Sequence, residues 1–249
     1  MPADRSRLRV LITTHYYPPE IGASPNRLHQ LARYLTERGH VVTVSTGFPN
    51  YPSGVIPPEY RGRLVMRETI DGVPILRTWI YPTENTGFVR RLLNHLSFAA
   101  SAVFASLLIG PIDVVVVESP PLFVAGAGPI IKLLKRAKFV LNVADLWPEA
   151  PVAMGMLTNP YAIALATMLE EALLMDCDHV VAVTPHIAEH LVKVKMVPAA
   201  RVDMHPNSID AGDYGPHVPP ADMSAWFPAE DFAVMYTGTL SMSHGLETA

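Results

Sequence analysis

LRVLITTHYYPPEIGASPNRLHQLARYLTERGHVVTVS, residues 8–45, decides the fold. Leu8–Thr13 is a short apolar run and reads as a buried strand. Pro25–Arg38 places Leu28, Leu31, Ala32 and Leu35 on one face at helical spacing. Gly39 stands where a helix ends most easily, one residue past the last turn. Val41–Ser45 is a second apolar, β-branched run. Both strands are continuously apolar rather than alternating, which requires a sheet covered on both faces.

The same unit recurs downstream. Strands are expected at Asp113–Val117, Phe139–Val143, His179–Val183 and Arg201–His205. Helices are expected at Arg90–Ile109, Leu122–Lys135, Ala162–Met175 and Pro185–Lys195, the last with Thr184 as N-cap and Pro185 in its first turn. Arg63–Glu68 and Val73–Arg77 flank Asp71-Gly72, a strong hairpin signal. Strands alternating with helices define an α/β class with a doubly wound parallel sheet, Rossmann-like in architecture. This domain is expected over residues 1–207. Residues 208–231 hold Gly212, Gly215, Pro216, Pro219, Pro220 and Pro228 and read as a linker. Phe232–Tyr236 reads as a new strand, so residues 232–249 are expected to be the start of a second α/β domain that is cut short.

Composition narrows the function classes. The net charge of −4 carries no basic surplus and argues against nucleic acid as a partner. The single cysteine, Cys177, allows no internal disulfide and suits a reducing compartment. Leu8–Thr13 is shorter than the apolar core of a secretory signal. A cytoplasmic location is expected, at the inner face of the plasma membrane if the substrate is membrane-borne. Leu92–Ile109 is nearly long enough to span a bilayer but contains Asn94, His95, Ser97, Ser101 and Ser106. A packed domain helix, an interfacial membrane helix and a span all remain open for it.

Ligands of open α/β sheets bind at the carboxyl ends of the strands. The loops there hold His15 to Gly22 after the first strand, Asn50 and Tyr51 after the second, Ser119 after Asp113–Val117, and Asp145, Trp147 and Glu149 after Phe139–Val143. Polar, acidic and aromatic side chains thus gather in proline-rich loops at one end of the sheet. Tyr16, Tyr17, Tyr51 and Trp147 suit either stacking on a substrate or core packing. No G-x-G-x-x-G follows the first strand, so the dinucleotide fingerprint is missing, and there is no Walker loop. Gly22 leaves room for a ligand at the N-terminus of the next helix, where an anionic group is favoured. Gly126 and Gly128 lie inside a helical pattern and read as close packing.

His15-Tyr-Tyr-Pro-Pro-Glu-Ile-Gly-Ala23, Gly47-Phe-Pro-Asn-Tyr-Pro52, Pro58-Glu-Tyr-Arg61, Ser119-Pro-Pro-Leu122, Asp145-Leu-Trp-Pro-Glu149 and Gly245-Leu-Glu247 occur in this order. Together they resemble family-4 glycosyltransferases of polysaccharide assembly, within them the amino-sugar, fucosamine-type transferases of O-antigen synthesis. The resemblance covers nearly the whole chain. It implies a GT-B fold whose N-terminal domain holds the acceptor, and a retaining transfer from a nucleotide sugar to a lipid-linked or oligosaccharide acceptor. It also implies that no metal or other cofactor is required. Asp145 and Glu149 are the candidate catalytic residues on this resemblance, and His15, Gly22, Asn50, Tyr51, Ser119 and Trp147 the candidate substrate-binding residues. Gly238 and His244 fall in a donor-phosphate loop where relatives carry Arg and Lys. Ala144 stands where relatives often have a basic residue. The family's paired glutamates seven residues apart are not found in this sequence.

Two other classes compete. His186-Ile-Ala-Glu-His190 matches an inverted zinc-peptidase motif, which needs a third ligand. The other alternative is a non-catalytic acceptor-binding fragment.

Overall fold

The computed structural model describes residues 7–84 and 87–208 continuously, and residues 212, 215–219, 222, 232 and 235–237 beyond them. Residues Met1–Ser208 form one compact unit and Ile209–Ala249 a second. Gly238 and His244 lie outside the described residues, as does most of the segment expected to open a second domain.

Strands β1 (Arg9–Thr13), β2 (Val41–Gly47), β3 (Val65–Ile70), β4 (Val73–Thr78), β5 (Val114–Ser119), β6 (Lys138–Val143), β7 (His179–Ala182) and β8 (Val202–Met204) form one sheet. Their order is β3-β4-β2-β1-β5-β6-β7-β8. All neighbouring pairs are parallel except β3 with β4. The sheet is therefore mixed at one edge, where Asp71 and Gly72 both take positive φ, 48° and 79°, as a two-residue hairpin turn requires.

Helices α1 (Ala23–Glu37), α2 (Phe88–Leu107), α3 (Leu122–Ala125), α4 (Ala127–Lys135), α5 (Glu149–Ala153), α6 (Pro160–Asp176) and α7 (Pro185–Lys193) cover the sheet. Leu28 and Ala32 of α1 pack with Val10, Ile12, Val42, Val44 and Ile75 in one core cluster. The larger cluster includes Phe98 and Ala102 of α2, Ile131 of α4 and Leu173 of α6, packed with Leu11, Val115, Phe139 and Leu141 of the sheet. Thr184 caps α7 as expected, its hydroxyl accepting from Ile187 N at 3.2 Å. The expected helix 122–135 is broken at Gly126 into α3 and α4. A Cβ on Gly128 would stand 2.4 Å from the Phe139 ring, so close helix–sheet packing explains that glycine. Helix α6 begins two residues earlier than its apolar pattern suggests, because the Asn159 side chain accepts from Tyr161 N and Ala162 N.

From β1 the chain winds out to β2 and β4, then returns to β5 on the other side of β1. The strand order reverses there. The crevice at the carboxyl ends of β1 and β5 is the topological switch point, where ligands of doubly wound sheets bind.

Candidate functional site

A buried carboxylate closes the floor of that crevice. Glu118, at the end of β5, is 4 % exposed. It accepts from Thr14 Oγ1 at 3.3 Å, from Ser24 Oγ, and from Arg27 Nη2 in an ion pair. Arg27 also donates to Asn207 Oδ1 at 2.7 Å. The first turn of α1, the end of β1 and the end of β5 are thereby locked together. Burial pushes the Glu118 carboxyl upward, while Arg27 and the two hydroxyls pull it back.

The loop after β1 is held from its other side. Glu20, buried, accepts from Tyr51 N at 2.9 Å, Asn50 N at 3.0 Å and Tyr17 N at 3.4 Å, fastening this loop to the one after β2. Burial raises its carboxyl above the ordinary value against these three amides. Arg77 of β4 is fully buried and donates to Glu68 Oε1 at 2.5 Å, to Gly47 O at 3.3 Å and to Pro18 O. Among the described residues five X–Pro bonds are cis: Pro18-Pro19, Tyr51-Pro52, Ser119-Pro120, Pro120-Pro121 and Trp147-Pro148. All five lie in the loops that follow β1, β2, β5 and β6.

Above this floor lies a groove. Tyr16, Arg91, His95, Pro120, Phe123 and Trp147 line a cavity of about 440 Å³. Arg91, His95, Phe123 and Trp147 are shared with a second cavity of about 190 Å³, to which Asp145, Leu92, Met154 and Met156 contribute. Asp145 is exposed, and its Oδ1 accepts from Leu146 N at 2.9 Å. His15 is buried beneath, its ring edge-on to Tyr16, His95 and Phe98 at 4.4, 5.1 and 5.3 Å. Burial, with His95 adding to it, holds His15 at a pKa of about 3; burial and the nearby Arg91 hold His95 at about 4. Both imidazoles are neutral at pH 7. The groove therefore offers one carboxylate, one guanidinium and neutral aromatic walls, a set suited to a sugar ring bearing a phosphate. Two further cavities, lined partly by Gly110 and Thr43, open at the amino ends of the strands, away from the switch point.

Of the residues expected at the site, Asp145 and Trp147 line the groove. His15, Asn50 and Ser119 are buried and do not line it, and Tyr51 is exposed with its ring 5.4 Å from Tyr16. Gly22 caps α1 in extended backbone (φ 163°), and a Cβ there would meet only Pro25, at 3.5 Å. Glu149 has a different setting. It forms an ion pair with Lys195, which also binds Glu170 at 2.5 Å, and it stands 3.9 Å from His190. Burial pushes the Glu170 carboxyl up to about 7 despite Lys195. Arg91, His95 and Phe123 were not expected.

His190 Nε2 lies 3.9 Å from Glu149 Oε1, and His186 is exposed. Among the described residues, no group of three or more His, Cys, Asp and Glu side chains can hold a metal ion. The zinc-peptidase alternative lacks its third ligand there. None of the described helices is long and apolar enough to cross a membrane.

The model of the glycosyl transferase 4-like domain matches residues 22–208. No curated protein matches the chain in sequence. Among solved structures, sucrose-phosphate synthase from Thermosynechococcus elongatus is similar at 15 % identity and TM-score 0.60, over 88 % of this chain and 52 % of that one. The catalytic domain of starch synthase IV from Arabidopsis thaliana, bound to ADP and acarbose, is similar at 13 % identity and TM-score 0.59, over 86 % and 54 %. HepE from Anabaena, in complex with UDP and glucose, is similar at 16 % identity and TM-score 0.52, over 88 % and 48 %. The chain spans about half the length of these structures. At such identities the likeness shows the fold.

Proposed function

The chain belongs to the glycosyl transferase 4-like family, and on that premise we propose that it is the acceptor-side half of a retaining glycosyltransferase. The observation that carries this reading is the groove at the switch point, where Asp145, Trp147, Arg91 and His95 meet. Trp147 and Tyr16 stack on the acceptor sugar, and Arg91 takes an acceptor phosphate. Asp145 orients the acceptor hydroxyl or stabilises the positive charge that develops at the sugar carbon. The donor is a nucleotide sugar. Its diphosphate lies near Gly22, where the backbone is uncovered and the N-terminus of α1 favours negative charge. Gly238 and His244 belong to a donor-phosphate loop on the family resemblance, and transfer needs no metal. Glu149, bound by Lys195, positions the Asp145–Glu149 loop rather than reacting.

The acceptor is lipid-linked or an oligosaccharide, in polysaccharide assembly of the fucosamine-transferase type. Peripheral membrane contact through the 90–109 helix belongs to the same reading. The test is Asp145→Asn in an enzyme carrying both halves of the fold. We expect kcat to fall about 100-fold or more with folding unchanged. Near-normal turnover removes Asp145 from the reaction centre.

A further inference from the structure

The loop that carries Asp145 and Trp147 is tied down at its far end by a lysine. Asp145 Oδ1 accepts from Leu146 N at 2.9 Å, and Leu146 O accepts from Ala150 N at 2.9 Å, so residues 145–150 close as one turn. Glu149 lies inside that turn. Its Oε1 is ion-paired with Lys195 Nζ, while its Oε2 is buried with no hydrogen-bond partner among the described residues. His190 Nε2, 3.9 Å from Oε1, stands beyond hydrogen-bond reach. Lys195 is thus the group that holds Glu149.

Lys195 is itself fixed. Its N donates to His190 O at 3.1 Å, Met196 turns the chain at φ 58°, and the buried Val197 donates from its N to Leu191 O at 2.9 Å. The Lys195 side chain is buried, and its ammonium has a second partner, Glu170 Oε2 of α6 at 2.5 Å, also buried. Lysine goes this deep only when paired, and here one ammonium serves two carboxylates. A proton on Glu170 leaves the ammonium to Glu149 alone. Loss of that proton divides the ammonium and sets a second buried anion beside the first. Burial, opposed by Lys195 and reinforced by Glu149 and Glu171, brings the Glu170 carboxyl to about 7. Cations that reach α6 and its surroundings from other elements are bound elsewhere: Lys132 at Asp176, 3.5 Å, Arg201 at Leu174 O, 2.8 Å, and Lys138 at Asp178, 2.7 Å. Helix α3, packed against α6, holds no charged residue.

We propose that Lys195 is a positioning residue for the Asp145–Trp147 wall of the groove, and that proton exchange at Glu170 sets how firmly it holds that wall. This rests on the proposed role of Asp145 and extends the anchor from Glu149 to a switch reaching α6 and the end of α7. Protonated Glu170 gives the held loop, and ionised Glu170 the loosened one.

The Trp147 indole reports on this loop without any transfer. In the isotope-labelled 249-residue chain its NMR resonance, identified by its loss in Trp147→Phe, should move with pH in one step centred at about 7. Glu170→Gln keeps the shape and cannot ionise; it should abolish the step and leave the indole at its low-pH position. His190→Gln should retain the step. Lys195→Met should abolish it and displace the indole from that position at every pH, and Lys195→Arg should restore both. Circular dichroism checks each fold; if Lys195→Met does not fold, Glu170→Gln decides. In an enzyme carrying both halves of the fold, Lys195→Met should lower kcat about tenfold or more while the donor KM changes less than about twofold. An indole indifferent to Lys195→Met in a folded chain overturns the proposal. So does a pH step that survives Glu170→Gln or vanishes in His190→Gln. An indole that follows every variant as expected, beside an Asp145→Asn enzyme of near-normal turnover, refutes the proposed role of Asp145 alone.

Discussion

Arg27→Met leaves Glu118 in place and takes away its only cationic partner among the described residues. Glu118 is 4 % exposed and keeps just the hydroxyls of Ser24 and Thr14. Removing one partner of a buried pair costs about 3–5 kcal/mol, because the remaining charge stays desolvated. The loss must depend on pH. Burial already raises the Glu118 carboxyl, and Arg27 is the largest influence lowering it, so the variant raises it further. A buried acid whose folded pKa lies above its unfolded value binds an extra proton in the native state. Stability is then lost as pH rises through that interval and regained as pH falls. The deficit should shrink with acidification by up to about 1.4 kcal/mol per pH unit over the window between the wild-type and variant pKa values. Urea denaturation between pH 5.5 and 8, followed by circular dichroism, measures it. Arg27→Met with Glu118→Leu should recover most of the loss at every pH. A deficit independent of pH, or a double variant as unstable as the single one, refutes the assignment of Glu118 as an uncompensated buried charge.

Gly22→Ala should change stability by less than about 0.5 kcal/mol, since its Cβ meets only Pro25 in ordinary contact. In a complete enzyme it should weaken donor binding about tenfold by calorimetry if the diphosphate approaches this backbone. Gly128→Ala should destabilise by about 1–3 kcal/mol through its clash with Phe139, visible as a lowered urea midpoint at unchanged slope. NMR titration should find His15 and His95 neutral down to about pH 4–5, in keeping with values of about 3 and 4. Their folded pKa values lie below the unfolded ones, so the unfolded chain binds protons that the native state refuses. They should therefore cost stability as pH falls below about 6.5, and not above it.

The βαβ pattern of residues 8–45 and the apolar runs that follow made the doubly wound sheet legible, and the loops after β1, β2, β5 and β6 could be read as one edge. That Asp145 and Trp147 stand at this edge was legible for that reason; that Arg91, His95 and Phe123 line the same groove was not. Val73–Arg77 read as half of a hairpin, which leaves its direction in the main sheet open. In the structure β4 runs parallel to β2, so the chain leaves β4 at the same edge and α2 starts beside the crevice. Arg77 sits in a strand pattern whose side chains point to either face; only tertiary packing reveals that its guanidinium reaches Pro18 O and Glu68. Glu149 shows the opposite limit. Its place two residues after Trp147 suggested chemistry, but the turn into α5 carries it to Lys195 on a distant segment.

On the proposed function the acceptor occupies the groove at the carboxyl ends of β1, β5 and β6. Titration of a short prenyl-diphosphate sugar into the isotope-labelled chain, followed by NMR, tests it directly. Shifts at the Trp147 indole and around Arg91, His95, Phe123 and Asp145 should saturate together. Shifts confined to the amino-edge cavity around Arg67, Thr69 and Gly110, with the Trp147 indole unmoved, would contradict it.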